Sequence, residues 1–196
     1  DDGSLESLHR SLANNRFHVL HFSGHGIFTA KKFGETPEAY LTLEDEYSME
    51  PVKTSAADFA AVLSADPDRM PALVFLSSCQ TGVGGKDGGF RGAAQRLMQA
   101  GVPAVMAMGW SVMDFWATHF ARVFYEKIAR RATLPEAFNQ SLAEGRKVQQ
   151  EWLPDELSHA PQAALHAIFS GQSLIPQLFL TQQAVKLVDW GDPSEK

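Results

Sequence analysis

Two short segments carry the side chains that acyl-transfer chemistry needs. Cys79, the only cysteine in the chain, closes the apolar run Leu73-Val74-Phe75-Leu76-Ser77-Ser78-Cys79 and is followed by Gln80-Thr81-Gly82. Upstream, a second apolar run ends in Ser23-Gly24-His25-Gly26. A thiol is a weak nucleophile until it is deprotonated. An imidazole within reach can take its proton and later hand that proton to a leaving amine. Each run reads as a buried strand that stops at a reactive residue. If the two are neighbours in one parallel sheet, thiol and imidazole emerge side by side at its C-terminal edge, where open α/β sheets place their chemistry. The backbone N–H groups of Gly26 and Cys79 are the candidates for an oxyanion hole, and a glycine on each side of His25 reads as keeping the imidazole open. The rival readings are a hydrogen-bonded turn histidine and a small buried thiol. Gly-His-Gly at a strand end, and a polar glycine-rich stretch after Cys79, favour function.

The elements around these residues follow from periodicity and breakers. Leu5, Leu8 and Leu12 mark one face of a helix stopped by Asn14-Asn15. Phe17 to Phe22 is the first strand, and Ile27 to Glu38 read as loop. Tyr40 to Leu43 and Met49 to Val52 pair as a small hairpin, and Thr54 or Ser55 caps a helix carrying Phe59, Val62 and Leu63. Ala72 to Ser77 is the second central strand. Thr81 to Gly89, with Gly82, Gly84, Gly85, Gly88 and Gly89, reads as a mobile loop and a candidate activation switch. A helix over Arg91 to Gln99 ends at Gly101 and leads into a third strand, Val102 to Met108. Val112, Trp116, Phe120, Val123, Phe124 and Ile128 form the stripe of a further helix, and Leu134, Phe138, Leu142 and Val148 that of another. A connection over Trp152 to Pro161, a short helix near Ala163 to Phe169, strands near Gln177 to Thr181 and Val185 to Val188, and a frayed tail over 190–196 complete the pattern. Alternating strand and helix predict an α/β fold with a mainly parallel sheet, as a single domain over 1–196. The chain begins abruptly before a helix, so a domain cut from a longer protein is expected.

Composition narrows the partners. With 44% hydrophobic and 20% charged residues the chain can bury a continuous core. A formal charge of −6 gives no electrostatic reason to expect nucleic acid or an anionic membrane surface, and suits a basic substrate. A lone cysteine forms no internal disulfide, so an intracellular, cytoplasmic protein is expected. There is no run of 18 apolar residues for a membrane helix, and Asp1-Asp2-Gly3-Ser4 is no signal peptide.

Longer stretches resemble a known family. Phe22-Ser23-Gly24-His25-Gly26 and Leu76-Ser77-Ser78-Cys79-Gln80-Thr81-Gly82 are similar to the motifs of the CHAT domain, in the caspase–separase peptidase clan. Phe90-Arg91-Gly92-Ala93-Ala94-Gln95-Arg96-Leu97-Met98-Gln99-Ala100-Gly101-Val102-Pro103-Ala104-Val105 resembles its helix–glycine–strand segment. Trp110-Ser111-Val112-Met113-Asp114, with Ala117-Thr118, resembles its Trp-x-Val-x-Asp segment. The resemblance runs from residue 17 to about 145 and is loose beyond Trp152. The spacing of positions 25 and 79 agrees with the gap of about 50 residues in caspases, whose local motif differs. The resemblance implies a caspase-like three-layer fold, with helices flanking a mainly parallel sheet. It also implies a cysteine endopeptidase with His25 as general acid/base and Cys79 as nucleophile, and it requires no third triad member. It implies that Asp114 lines an S1 pocket and pairs with a P1 arginine, as in separase-like relatives, although Met113 stands where a polar residue is common. A carboxylate on a pocket floor selects Arg through a bidentate contact; the rival reading of Asp114 is a helix N-terminal carboxylate. Trp110 is either a wall of that pocket or a core tryptophan. Attached sensor or repeat domains, or an activating partner, are the regulators the family implies.

Other chemistry is excluded by its missing parts. His18, His21 and His25 are not a convincing metal set. The glycines after Cys79 lack the Gly-Lys-Ser/Thr ending of a phosphate loop. Glu44, Asp45, Glu46 and Glu50 lack calcium-loop spacing and read as a solvated hairpin. No metal and no cofactor are expected. Two rival functions remain: a caspase-like interaction module without catalysis, and a cysteine amidase acting on a small molecule.

Overall fold

The computed structural model describes residues 3–29, 38–80, 89–108, 114–151, 176–181 and 187. Residues 81–88 of the loop expected over Thr81 to Gly89, the segments near Trp152 to Pro161 and Ala163 to Phe169, most of the strand near Val185 to Val188, Trp110 and the tail over 190–196 lie outside the described residues, while Gly89 is helical. The chain divides into two compact units, Asp1–Ser111 with Gln177–Val188, and Val112–Pro176 with Asp189–Lys196.

The first unit is built on a six-stranded sheet of order β3-β2-β1-β4-β5-β6. Its elements in chain order are α1 (Leu5–Asn14), β1 (Val19–Thr29), β2 (Glu38–Glu44), β3 (Pro51–Ser55), α2 (Ala56–Leu63), β4 (Leu73–Gln80), α3 (Gly89–Gln99), β5 (Ala104–Met108) and β6 (Pro176–Leu180). Local chemistry sets the helix ends. The Ser4 hydroxyl caps α1 by accepting the Ser7 N–H at 3.0 Å. Ser55, rather than Thr54, caps α2, accepting the Asp58 N–H at 3.0 Å and donating to the Asp58 carboxylate at 2.7 Å. Gly101, at φ +99°, closes α3. The Val102 N–H reaches back to the Leu97 carbonyl there, and the Gly101 N–H to that of Met98.

The sheet is mixed, not mainly parallel. β1 pairs with β4, and β4 with β5, in parallel. β1 pairs with β2, and β2 with β3, antiparallel. The reason lies in connection length. A parallel neighbour needs a crossover of about a dozen or more residues, and residues 30–37 are too few for one between β1 and β2. The expected hairpin therefore exists, but it extends the same sheet. Ile27 to Thr29, expected as loop, are strand for the same reason: they pair with Tyr40, Ala39 and Glu38.

One core holds this unit together. Leu12 of α1, Phe59 and Leu63 of α2, and Ala94 and Leu97 of α3 pack with Ala39, Leu41 and Leu43 of β2, Val74 and Leu76 of β4, and Val105 and Ala107 of β5. Leu20 and Phe22 of β1 join them. These residues share parity along each strand, so they define one face of the sheet. Leu73, Phe75, Met106 and Met108 have the opposite parity and are also buried. Burial on both faces explains the unbroken apolar runs of β4 and β5. Three of the four acids of the hairpin, Glu44, Asp45 and Glu46, have structural partners. Asp45 accepts the N–H groups of Tyr47 and Ser48 and shapes the turn, which holds its carboxyl below the usual range. Glu44 accepts the Gly3 N–H at 2.7 Å, and Glu46 pairs with Arg10 of α1.

In the second unit, α4 (Asp114–Ala129) packs against α5 (Leu134–Glu151). The expected stripe is its core: Trp116 stacks on Phe120 with centroids 5.4 Å apart, and Phe138 meets Phe120 edge-on at 5.9 Å. Thr133 and Glu136 form a reciprocal capping box at the start of α5. Gly145 lies flush against the buried Trp116 ring, where an added Cβ would stand 2.9 Å from Cζ2. Gly145→Ala is therefore expected to destabilise this helix pair. The helix-propensity gain of about 1 kcal/mol is outweighed by overpacking of about 1–3 kcal/mol, and a chemical denaturation midpoint above that of the wild type would contradict the packing described.

Candidate active site

Register decides what meets at the site. In the parallel β1–β4 ladder, Val19 pairs with Leu73, Phe22 with Leu76, Ser23 with Ser77, His25 with Cys79 and Gly26 with Gln80. Register partners lie on the same face of the pleat, and neighbouring strands are about 4.8 Å apart. His25 and Cys79 thus occupy adjacent positions on one face. By parity that face is opposite the one that packs on α1, α2 and α3. His25 is exposed to solvent. On its other side, β2 places Thr42 beside His25, and β3 places Lys53 beside Thr42. The row across the sheet reads Lys53, Thr42, His25, Cys79.

The strands do not stop at the reactive residues, as expected from sequence. β1 continues through His25 to Thr29 because residues from His25 onward gain β2 as a partner. His25 and Gly26 are paired on both sides, where the last described pairs of the β1–β4 ladder overlap the β1–β2 ladder. Cys79 is the penultimate residue of β4, beyond the described pairs with β5, which run from Val74 to Leu76.

Strand parity also corrects the role read for the glycines. Gly24 and Gly26 fall on the opposite face from His25, so they do not flank its imidazole. Gly26 is buried. A Cβ on Gly24 would stand 2.8 Å from Cζ of Phe22, so the missing side chain is the space that the Phe22 ring fills. That ring meets Phe59 of α2 edge-on at 6.3 Å.

Four residues before His25 on the same strand face, His21 stacks on Phe75 of β4 with centroids 4.3 Å apart and planes 6° from parallel. His21 keeps an exposed edge, and partial desolvation of its ring lowers its pKa from the ordinary value. Along a strand four residues span about 13 Å, too far for His21 and His25 to share a ligand. His18 lies before the start of β1. Among the described residues no group of three or more His, Cys, Asp or Glu is placed to hold a metal ion. No helix among them is long and apolar enough to cross a membrane.

Asp114 is the first residue of α4, where the helix macrodipole favours a carboxylate. It belongs to the second unit.

A family model for the CHAT domain matches residues 1–171. The chain belongs to the CHAT domain family. That family is associated with caspase-like cysteine peptidases, and its match spans both segments that meet at the His25–Cys79 pair. No curated protein matches the chain. Thr42 is the position in this CHAT domain that sequence reading missed. The alternation of Tyr40, Thr42 and Glu44 with Ala39, Leu41 and Leu43 marked its face, but not that the face continues into β1.

His21 yields a pH expectation with a definite sign. Folding lowers its pKa, so the unfolded chain holds this proton more readily. The His21 contribution is therefore complete above about pH 6.5 and is lost as pH falls from there through the folded value. An NMR titration should give His21 a midpoint below about 6.5, and His21→Phe should remove that part of the acid-side loss of stability. A midpoint at or above the ordinary value contradicts the burial argument.

Proposed function

We propose that this CHAT domain is a caspase-like cysteine endopeptidase that cleaves a protein partner, with Cys79 as nucleophile and His25 as general acid/base. The observation that carries the reading is the β1–β4 register, which sets His25 opposite Cys79. Family membership supports it. Neighbouring positions on one strand face suit proton exchange between an imidazole and a thiol.

The chemistry runs in two halves. His25 takes the thiol proton, and the Cys79 thiolate attacks the scissile carbonyl to form a C–S bond. The developing oxyanion accepts hydrogen bonds from the backbone N–H groups of Gly26 and Cys79. Gly26 and Gln80 are the last described pair of the β1–β4 ladder, and Gly26 is also paired with Leu41 of β2. His25 then protonates the amine as the C–N bond breaks. In the second half, His25 takes a proton from water as its oxygen attacks the thioester; the C–S bond breaks to release the carboxylic acid, and His25 returns the proton to the Cys79 thiolate. No metal or cofactor takes part.

Asp114 supplies the S1 carboxylate in this proposal and selects a basic P1 residue through a bidentate contact to arginine. Trp110 is the candidate wall of that pocket in the same proposal. In this proposal the domain acts in the cytoplasm and is governed by attached sensor or repeat domains or by an activating partner.

Cys79→Ala and His25→Ala should each lower cleavage of a protein substrate by about a thousandfold or more, with unchanged denaturation midpoints. Cleavage that survives in both variants removes the dyad. Labelling by a peptidyl electrophile that is indifferent to His25→Ala points instead to an interaction module. For specificity, a peptide library should show Arg or Lys at P1, and Asp114→Asn should cut the preference for Arg over neutral residues by tenfold or more, about 1.4 kcal/mol of charge-assisted bonding. A profile without basic P1 residues rejects the role of Asp114.

A further inference from the structure

We infer that Thr42 is a positioning residue for His25: when the imidazole turns toward β2, the Thr42 hydroxyl accepts a ring N–H across the β1–β2 pair and holds the ring in one tautomer. The inference rests on the dyad reading above and adds a partner to it.

Three observations carry it. First, Thr42 is the antiparallel Cα partner of His25. Such partners share a face, with Cβ atoms about 4.5–5.5 Å apart, a span that a hydroxyl and an imidazole nitrogen bridge. Second, β2 alternates strictly. Ala39, Leu41 and Leu43 are buried in the core, while Tyr40, Thr42 and Glu44 lie half-buried on the His25 face. A threonine there is not needed for the core. Third, other groups on that face suit the task less well. Lys53, next in the row, has donors only and cannot accept from an imidazole. The Tyr40 hydroxyl donates to the Glu38 carboxylate at 2.5 Å. Ser23 lies two residues along β1, about 6.6 Å away, opposite Ser77.

The chemistry of the pair is specific. Neutral imidazole has one N–H and one acceptor nitrogen, and a partner for the N–H sets which nitrogen remains as base. A β-branched side chain is stiff at χ1, so the threonine oxygen is held in few positions. Being neutral, the hydroxyl orients the ring without adding the charge of a carboxylate. The row Lys53, Thr42, His25, Cys79 contains none. The titratable groups at positions of this sheet face are Cys79 on β4, His21 on the same strand, Glu38, Tyr40 and Glu44 on β2 and Lys53 on β3; the Glu38 carboxylate accepts from the Tyr40 hydroxyl and the Glu44 carboxylate from the Gly3 N–H.

Because Cys79 is the only cysteine, alkylation by iodoacetamide reads that thiol alone. Its rate against pH should be compared in the wild type, Thr42→Val, Thr42→Ser and His25→Ala. Valine keeps the shape and strand preference of threonine but lacks the oxygen; Thr42→Ala repeats the comparison should valine disturb the fold. Thr42→Val is expected to cut the His25-dependent part of the rate about threefold to tenfold, the worth of one neutral hydrogen bond. Thr42→Ser should restore most of it. In a Cys79→Ala background, the imidazole 15N shifts of His25 should report one dominant tautomer, which Thr42→Val disperses. Thr42→Val matching the wild type in both the alkylation profile and the 15N shifts overturns the inference. His25→Ala alkylating like the wild type would instead reject the dyad, while the 15N shifts still judge the Thr42–His25 contact by themselves.

Discussion

Parallel pairing of β1 with β4 is a constraint with two faces. On one face, Leu20 sits beside Val74 and Phe22 beside Leu76, and all four pack with α1, α2 and α3. On the other, Ser23 sits beside Ser77 and His25 beside Cys79. A slip of one residue would turn the apolar set of a strand away from the core. The hydrophobic contacts of the core face therefore hold the register that brings imidazole and thiol to neighbouring positions. The proposed chemistry is positioned by packing on the side where no chemistry occurs.

The same division explains residues whose roles looked different in one dimension. Gly24 precedes His25 but serves the Phe22 ring on the core face. His21 shares a face with His25, yet stacks on Phe75 and is biased toward its neutral form by burial. Thr42 reads in isolation as a polar residue of a hairpin, and pairing with β1 makes it a neighbour of the candidate base. In each case the pleat, with its period of two, decides which neighbours in sequence become neighbours in space.

The hairpin and the second unit show how polar groups become structural. Asp45 shapes the β2–β3 turn, while Glu44 and Glu46 bind Gly3 and Arg10. The acidic stretch thereby ties the N-terminal segment to the sheet. In the α4–α5 pair, Thr133 and Glu136 cap each other's amides, and Gly145 gives the Trp116 ring its place.

Much of this was legible in the residues. The breakers and caps Asn14, Ser55 and Gly101 bound their helices through local hydrogen bonds that only nearby residues decide. The aromatic stripe from Trp116 to Phe124 announced its helix by period alone. The motifs around His25 and Cys79 marked the family. Tertiary structure decided the rest: the mixed sheet, the passage of β1 through its motif to Thr29, and the row in which Lys53, Thr42, His25 and Cys79 line up. Local periodicity tells which residues of one strand share a face. It does not tell which residue of a distant strand lies opposite, because that register is set by the joint packing of side chains from α1, α2, α3 and the sheet, which no single segment contains.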